Sequence, residues 1–294
     1  MDWVALLQFP IEWAALALFV IACLYWERSG FSGLGVEGCA ATAMVGILLG
    51  YEWTLSYPLA VLIATGAAVA FAVTAGTLIL VMKADPAIGS FMLSLAPVCA
   101  LGLLSREGAL RLSTEFPQPG LIRGTVFDGT ISEDLFTSPW FLASPILITL
   151  AAWLLWHTPF GMRLRAFGEN PAWRVLGSRP TAYRLLALAV GALCATPGAA
   201  LLLRAHPEAP PMAIGFIALA CTIAGRWGVT AGILLAIGPA LLRALRPYGA
   251  AVPASAVALD VAPFLLALVY LILFSRRSLR LSVSPHAGTD PDVL

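Results

Sequence analysis

Long apolar runs separated by short polar clusters set the pattern of this chain. They fall at about 10–26, 34–51, 58–82, 88–104, 139–157, 183–203, 212–225, 229–245 and 253–274. Most approach the roughly 20 residues that a helix needs to cross a bilayer. The seventh and eighth are short, and Gly225-Arg226-Trp227-Gly228 splits them. They fit two tilted spans or a re-entrant pair of half-helices, which is tolerated only where protein shields it or it lines a cavity. Pro97, Thr196-Pro197-Gly198 and Gly238-Pro239 interrupt other runs. Broken helices of this kind often surround transport pathways, although Pro and Gly are ordinary in membrane helices. The pattern predicts an all-α polytopic integral membrane bundle over residues 1–281, with about eight to ten transmembrane helices, some of them broken or halved.

Composition narrows the class. Of 294 residues, 60% are hydrophobic and 11% charged, against about 25% charged in soluble domains. So little charge cannot cover a soluble surface. With 17 basic and 16 acidic residues there is no basic face for nucleic acid and no polar excess for disorder. The placement of charge then suggests an orientation. Residues 157–184 carry Arg163, Arg165, Arg174, Arg179 and Arg184 against Glu169 alone, and Arg276, Arg277 and Arg280 follow the last run. The positive-inside rule assigns both to the cytoplasm. Residues 105–138 carry Glu107, Glu115, Asp128, Glu133 and Asp134 against three Arg, and fall outside. Nine spans, with the N-terminus outside and the C-terminus cytoplasmic, satisfy all three. Asp2 and Glu12 replace a basic leader, so the first run reads as a real span. The 105–138 loop reads as a lid, a partner surface or a plain variable loop. Residues 282–294 read as a disordered cytoplasmic tail.

Candidate chemistry is sparse. Cys23, Cys39, Cys99, Cys194 and Cys221 lie in apolar runs without CxxC spacing, and are expected as buried free thiols. One Lys, one Asn and three scattered His offer no metal or acid–base constellation. His157 and His206 are expected at interfaces, solvated and without ligand partners. No cofactor is expected. No GxxxxGK(S/T) loop occurs, so any ATP would be bound by another protein. Three charges near or inside spans remain. A charged side chain at a helix centre costs about 2.5–3.5 kcal/mol on insertion scales. Glu37, just inside the second span, should therefore pair with an arginine, cap a backbone or face a wet cavity, as a structural or gating contact rather than a substrate ligand. Arg226 reads as an ion-pair partner or a snorkelling anchor. Asp260, about 10 Å into the last span, reads as lining a cavity or meeting Arg243 or Arg246.

The most informative stretch lies between two strong spans, within a segment bounded at 158–180: TPFGMRLRAFGENPAWRVLG, from Thr158 to Gly177. Pro171 biases Asn170 away from helix and suits the first turn of a short helix carrying Trp173 and Leu176 on one side. Such a helix can dock in a groove of a soluble partner or lie on anionic lipid, and physics favours neither. The stretch resembles the cytoplasmic coupling segment of ABC importer permeases in the branched-chain amino acid, ribose and simple-sugar group. Gly30 to Gly38 (GFSGLGVEG) is similar to the Gly-x-x-Asn-Ile-Gly-x-Glu-Gly signature opening the second span of simple-sugar and nucleoside permeases. Gly215 to Gly228 (GFIALACTIAGRWG) resembles their late Gly-Phe-Ile-Ala-Ile-Ala…Gly-Arg-Trp pattern, and Ala262-Pro263-Phe264 their Leu-Pro-Tyr. There are departures. Gly33 stands where the family usually has Asn, and Ser178-Arg179-Pro180 replaces an Ile-Asn-Val type continuation.

The resemblance implies a permease subunit of an ABC importer in a bacterial inner membrane, not itself an enzyme. Closure of a separate ABC ATPase would pull on Gly161, Arg163, Arg165, Gly168, Glu169, Asn170, Pro171, Trp173 and Gly177. Gly35, Glu37, Gly38, Arg226 and Asp260 are the candidate pathway or gating residues. A second permease (a larger paralogue or another copy) and an extracytoplasmic substrate-binding protein would complete the assembly. Simple sugars or nucleosides are the implied cargo, with branched-chain amino acids second. A stand-alone secondary transporter would need clustered acids and an inverted repeat, and the sequence has isolated acids and no convincing repeat. An intramembrane enzyme would need a nucleophile–base or metal set, and none of the usual motifs is present.

Overall fold

Three helices of this chain begin where a small polar residue precedes proline, at Asp85-Pro86, Ser138-Pro139 and Thr158-Pro159. Asp85 Oδ1 accepts the backbone N–H groups of Ala87 (2.8 Å) and Ile88 (3.0 Å), with Pro86 at the first helical position. Thr158 caps its helix in the same way through Gly161 N–H, whereas Ser138 precedes Pro139, and Ser56 stands two residues before Pro58, without a side-chain cap. Proline there needs no N–H and has its φ already set. The computed structural model describes residues 3–106, 138–169, 180–206, 212–246 and 253–278. The helices are α1 (Trp3–Arg28), α2 (Gly35–Thr54), α3 (Tyr57–Met82), α4 (Pro86–Arg106), α5 (Pro139–His157), α6 (Pro159–Glu169), α7 (Pro180–Ala205), α8 (Ile214–Ala224), α9 (Val229–Leu235), α10 (Ile237–Ala244) and α11 (Pro253–Ser278). Among the described residues there is no strand.

Five of these helices are long and apolar enough to cross a membrane, spanning Gln8–Arg28, Tyr57–Met82, Pro86–Leu104, Pro139–His157 and Thr181–Ala205. A helix apolar on every side has to be surrounded, and α1 is that helix. From Ala15 to Trp26 its side chains are buried, among them Phe19, Tyr25 and Trp26. It packs against α7 most extensively, then α8, α10 and α5. α2 lies between α3 and α4 and also meets α7, while α11 packs on α8 and α10. The outer faces of α3, α4, α5 and α11 expose Leu62, Val81, Leu103, Ile146 and Leu273. Soluble monomers rarely expose apolar surface on this scale, and the architecture is that of a multi-pass membrane bundle.

Each of the nine apolar runs contains a described helix, with three differences from the sequence reading. The eighth run is two helices, stepping at Ala236 rather than at Gly238-Pro239. Pro239 then sits in the first turn of α10, where its missing N–H is harmless. α4 and α7 run unbroken through Pro97 and Pro197. Finally, Cys99 is exposed, while the other four free cysteines are buried as expected. Most of the 105–138 loop and all of the 282–294 tail lie outside the described residues.

Candidate functional site

Glycine spacing at the start of α2 decides how closely its backbone meets its neighbours. A Cβ on Gly35 would lie 1.8 Å from the Trp26 ring, and one on Gly38 2.6 Å from the Phe71 ring. Opposite them, a Cβ on Gly215 would lie 2.6 Å from the Glu37 backbone N. The two glycine-rich stretches therefore pack main chain on main chain. That approach brings the buried Glu37 carboxylate onto the first turn of α8. Oε1 accepts Ala213 N–H at 2.5 Å and Oε2 accepts Gly215 N–H at 2.6 Å. Ala213, the N-cap, has φ 65°, and no side chain of its own segment caps the helix. A helix N-terminus carries orphan N–H groups and partial positive charge, and an acid from another helix satisfies both. Of the three arrangements open to Glu37, the structure holds the backbone cap.

The start of α8 lies deep. Cys23 Sγ is 3.9 Å from Gly215 O, whereas His206, at the end of α7, meets Glu12. Glu12 and Cys23 are separated by about 16 Å along α1 at 1.5 Å per residue. From there α8 runs toward the end of α1, turns at Gly225-Arg226-Trp227-Gly228, and α9 and α10 return along α1. Trp13 Nε1 donates to Ile233 O at 3.0 Å on the way. Arg226 and Trp227 both take left-handed conformations in the turn (φ 56° and 55°), and Glu27 accepts Gly33 N–H at 2.7 Å with the Trp227 side chain beside it.

A second buried carboxylate closes the opposite end. Glu12 is wholly buried, with Oε2 accepting Arg243 Nε at 2.9 Å and Oε1 hydrogen-bonded to His206 Nε2. The expectation that His206 is solvated is therefore wrong. It is 11% exposed and takes its partner from α1, so helical spacing could not reveal the pair. Asp260 meets Arg246 (2.7 Å) in an ion pair nearly half-exposed on both sides, one of its two expected arginines. Arg226 is exposed, with no ion-pair partner among the described residues. Gly35 and Gly38 are buried contacts between helices. Neither Glu12 nor Glu27 was singled out from the sequence. An acid and an arginine inside apolar runs, each needing a partner, was the signal for Glu12 and Arg243.

The segment after α5 is built tightly onto it. Thr158 receives Gly161 N–H on its hydroxyl at 3.3 Å and Met162 N–H on its carbonyl at 3.0 Å, starting α6. Leu164 is fully buried and Met162 exposed. Arg163 donates to Tyr183 OH at 2.6 Å. Arg165 stands 4.4 Å over the Trp156 ring and donates to Trp156 O at 3.3 Å. Both arginines thus fasten α6 to α5 and α7. Gly168 and Glu169 end α6, whereas Asn170, Pro171, Trp173 and Gly177 lie outside the described residues. A Cβ on Gly161 would fall 2.1 Å from Leu155 O and 2.5 Å from Leu154 O, backbone atoms that cannot swing away. Gly161→Ala is therefore expected to cost about 1–3 kcal/mol, as overpacking does, read as a lower unfolding temperature of the detergent-solubilised protein. A variant as stable as the parent would show that α6 is not seated there.

Comparison with known proteins adds three findings. A family described as "Branched-chain amino acid transport system / permease component" matches residues 6–274. The nucleoside ABC transporter permease protein NupC of Lactococcus lactis subsp. cremoris is 28% identical over 209 residues, covering 66% of this chain and 65% of that protein. The aligned region thus spans just under two thirds of that relative. No solved structure matches significantly.

Proposed function

The chain belongs to the branched-chain amino acid transport system permease family, and from that membership we propose that it forms half of the translocation path of an importer for a small polar solute. It is an ABC-type permease, a transport subunit by family. A separate ATPase drives it, a second permease completes the path, and an extracytoplasmic binding protein delivers the cargo. A simple sugar or nucleoside is the proposed solute, supported by the nucleoside permease relative and by the glycine-rich stretches at 30–38 and 215–228. The family description names branched-chain amino acids, which makes them the second reading.

The observation that carries the proposal is α8, a helix of 11 residues starting inside the bundle with its N-terminus held by Glu37. At about 1.5 Å per residue it covers roughly half a bilayer core, and discontinuous helices with polar ends inside a membrane protein are the parts from which solute sites are made. The α6 end of the bundle is the cytoplasmic one in this reading, consistent with the basic residues of 157–184. The decisive measurement is uptake by the complete transporter in proteoliposomes, comparing labelled nucleosides, ribose and leucine, with and without ATP. Uptake of a nucleoside or ribose that requires ATP supports the proposal; uptake by this chain alone establishes a stand-alone secondary transporter instead.

A second expectation concerns the end of α6. Glu169→Arg or Gly168→Trp should uncouple hydrolysis from uptake, lowering solute moved per ATP by about tenfold, within the usual range of coupling effects, while membrane insertion is unchanged. An unaltered ratio would remove these two residues from the coupling segment.

A further inference from the structure

α1 ends in two adjacent charges that serve different neighbours. Glu27 receives the Gly33 backbone N–H and lies beside the Trp227 side chain. Arg28 lies over the Trp156 ring, 5.8 Å from its centroid. Arg165 of α6 stands over the same ring at 4.4 Å. A series of contacts thus leads from α6 through Trp156 to the end of α1, and from there beside Trp227 to the turn between α8 and α9. The other end of α8 is clasped by Glu37.

We propose that Trp156 and Trp227 are positioning residues of one mechanical linkage. Displacement of α6 is passed by Arg165, Trp156 and Arg28 to the end of α1, and by Glu27 and Trp227 to the base of α8, which tilts about its Glu37 clasp. The inference rests on the importer reading above. Two properties suit these residues to the role. A guanidinium on an indole is a planar, oriented contact, so it transmits rotation as well as translation. Consecutive left-handed residues other than glycine persist only where their surroundings hold them, so the 225–228 turn, with Trp227 against Glu27, responds to a shift of α1. If Trp156 merely filled space, a leucine of smaller volume would cost stability and leave energy coupling alone.

The test uses the complete transporter in proteoliposomes, measuring solute moved per ATP hydrolysed beside the amount of ATPase bound. Trp156→Leu and Trp227→Leu should each lower that ratio about tenfold, with ATPase still bound and hydrolysing. Trp156→Phe, which keeps an aromatic face, should recover most of it. Wild-type ratios in both leucine variants overturn the proposal, as do uptake and hydrolysis that fall in proportion. Where a leucine variant fails to assemble, Arg28→Gln decides by the same ratio, since it breaks the linkage without emptying the Trp156 site. Uptake by the unaltered transporter without ATP would instead remove the importer reading on which the linkage stands.

Discussion

Arg243→Leu is expected to destabilise the protein by about 3–5 kcal/mol, the cost of leaving a buried charge without its partner. The stranded charge is Glu12, whose carboxylate has no solvent contact and, among the described residues, is met by Arg243 and His206. Adding Glu12→Leu to Arg243→Leu should give back most of the loss, because apolar residues in place of a buried ion pair are often neutral or better. The measurement is a double-mutant cycle on the solubilised protein, read as unfolding free energy. Additive effects of the two substitutions would mean that the pair does not interact, and an Arg243→Leu variant as stable as the parent would mean that Glu12 is not charged.

Glu37 should give the next largest effect, with a graded signature. Glu37→Leu leaves two N–H groups, those of Ala213 and Gly215, facing an apolar side chain in the interior. Each unsatisfied buried donor costs about 1–3 kcal/mol, so roughly 2–6 kcal/mol is expected for the pair, with transport abolished. Glu37→Gln should lie between, because an amide offers one acceptor oxygen and turns an NH₂ donor toward the second N–H. Unfolding of the solubilised variants supplies the ranking. A glutamine variant equal to the parent, in stability and in uptake by the complete transporter, would sink the idea that both carboxylate oxygens are needed.

The fold was readable because membrane helices announce themselves by length. The boundaries of α3, α5 and α8 agree with the apolar runs to within a few residues, marked locally by Pro58 and the left-handed Lys83 for α3, by Ser138-Pro139 for α5 and by the left-handed Ala213 for α8. The cap made by Glu37 was half readable: an acid just inside a span demanded a partner, but the partner is a backbone from residues 213 and 215, and no side-chain pattern names a backbone. The Glu12 cluster was not read at all. Its members are separated by 194 and 231 positions, and His206 sits at a helix end where solvent is the ordinary neighbour. Nor did the charge of the 157–184 segment reveal its use. Arg163 and Arg165 fit a docking surface by type, whereas their planar heads are spent on Tyr183 and Trp156, a choice visible only when three helices are placed together.

The burial of α1 has a consequence for how the protein is made. This helix precedes the other described helices, yet the surfaces that enclose it belong to α5, α7, α8 and α10, all synthesised later. As it enters the bilayer, Glu12 has neither His206 nor Arg243 to meet, and an acid in lipid without a partner is expensive. Full burial of Glu12 therefore comes late, once α7 and α10 have brought His206 and Arg243 to it.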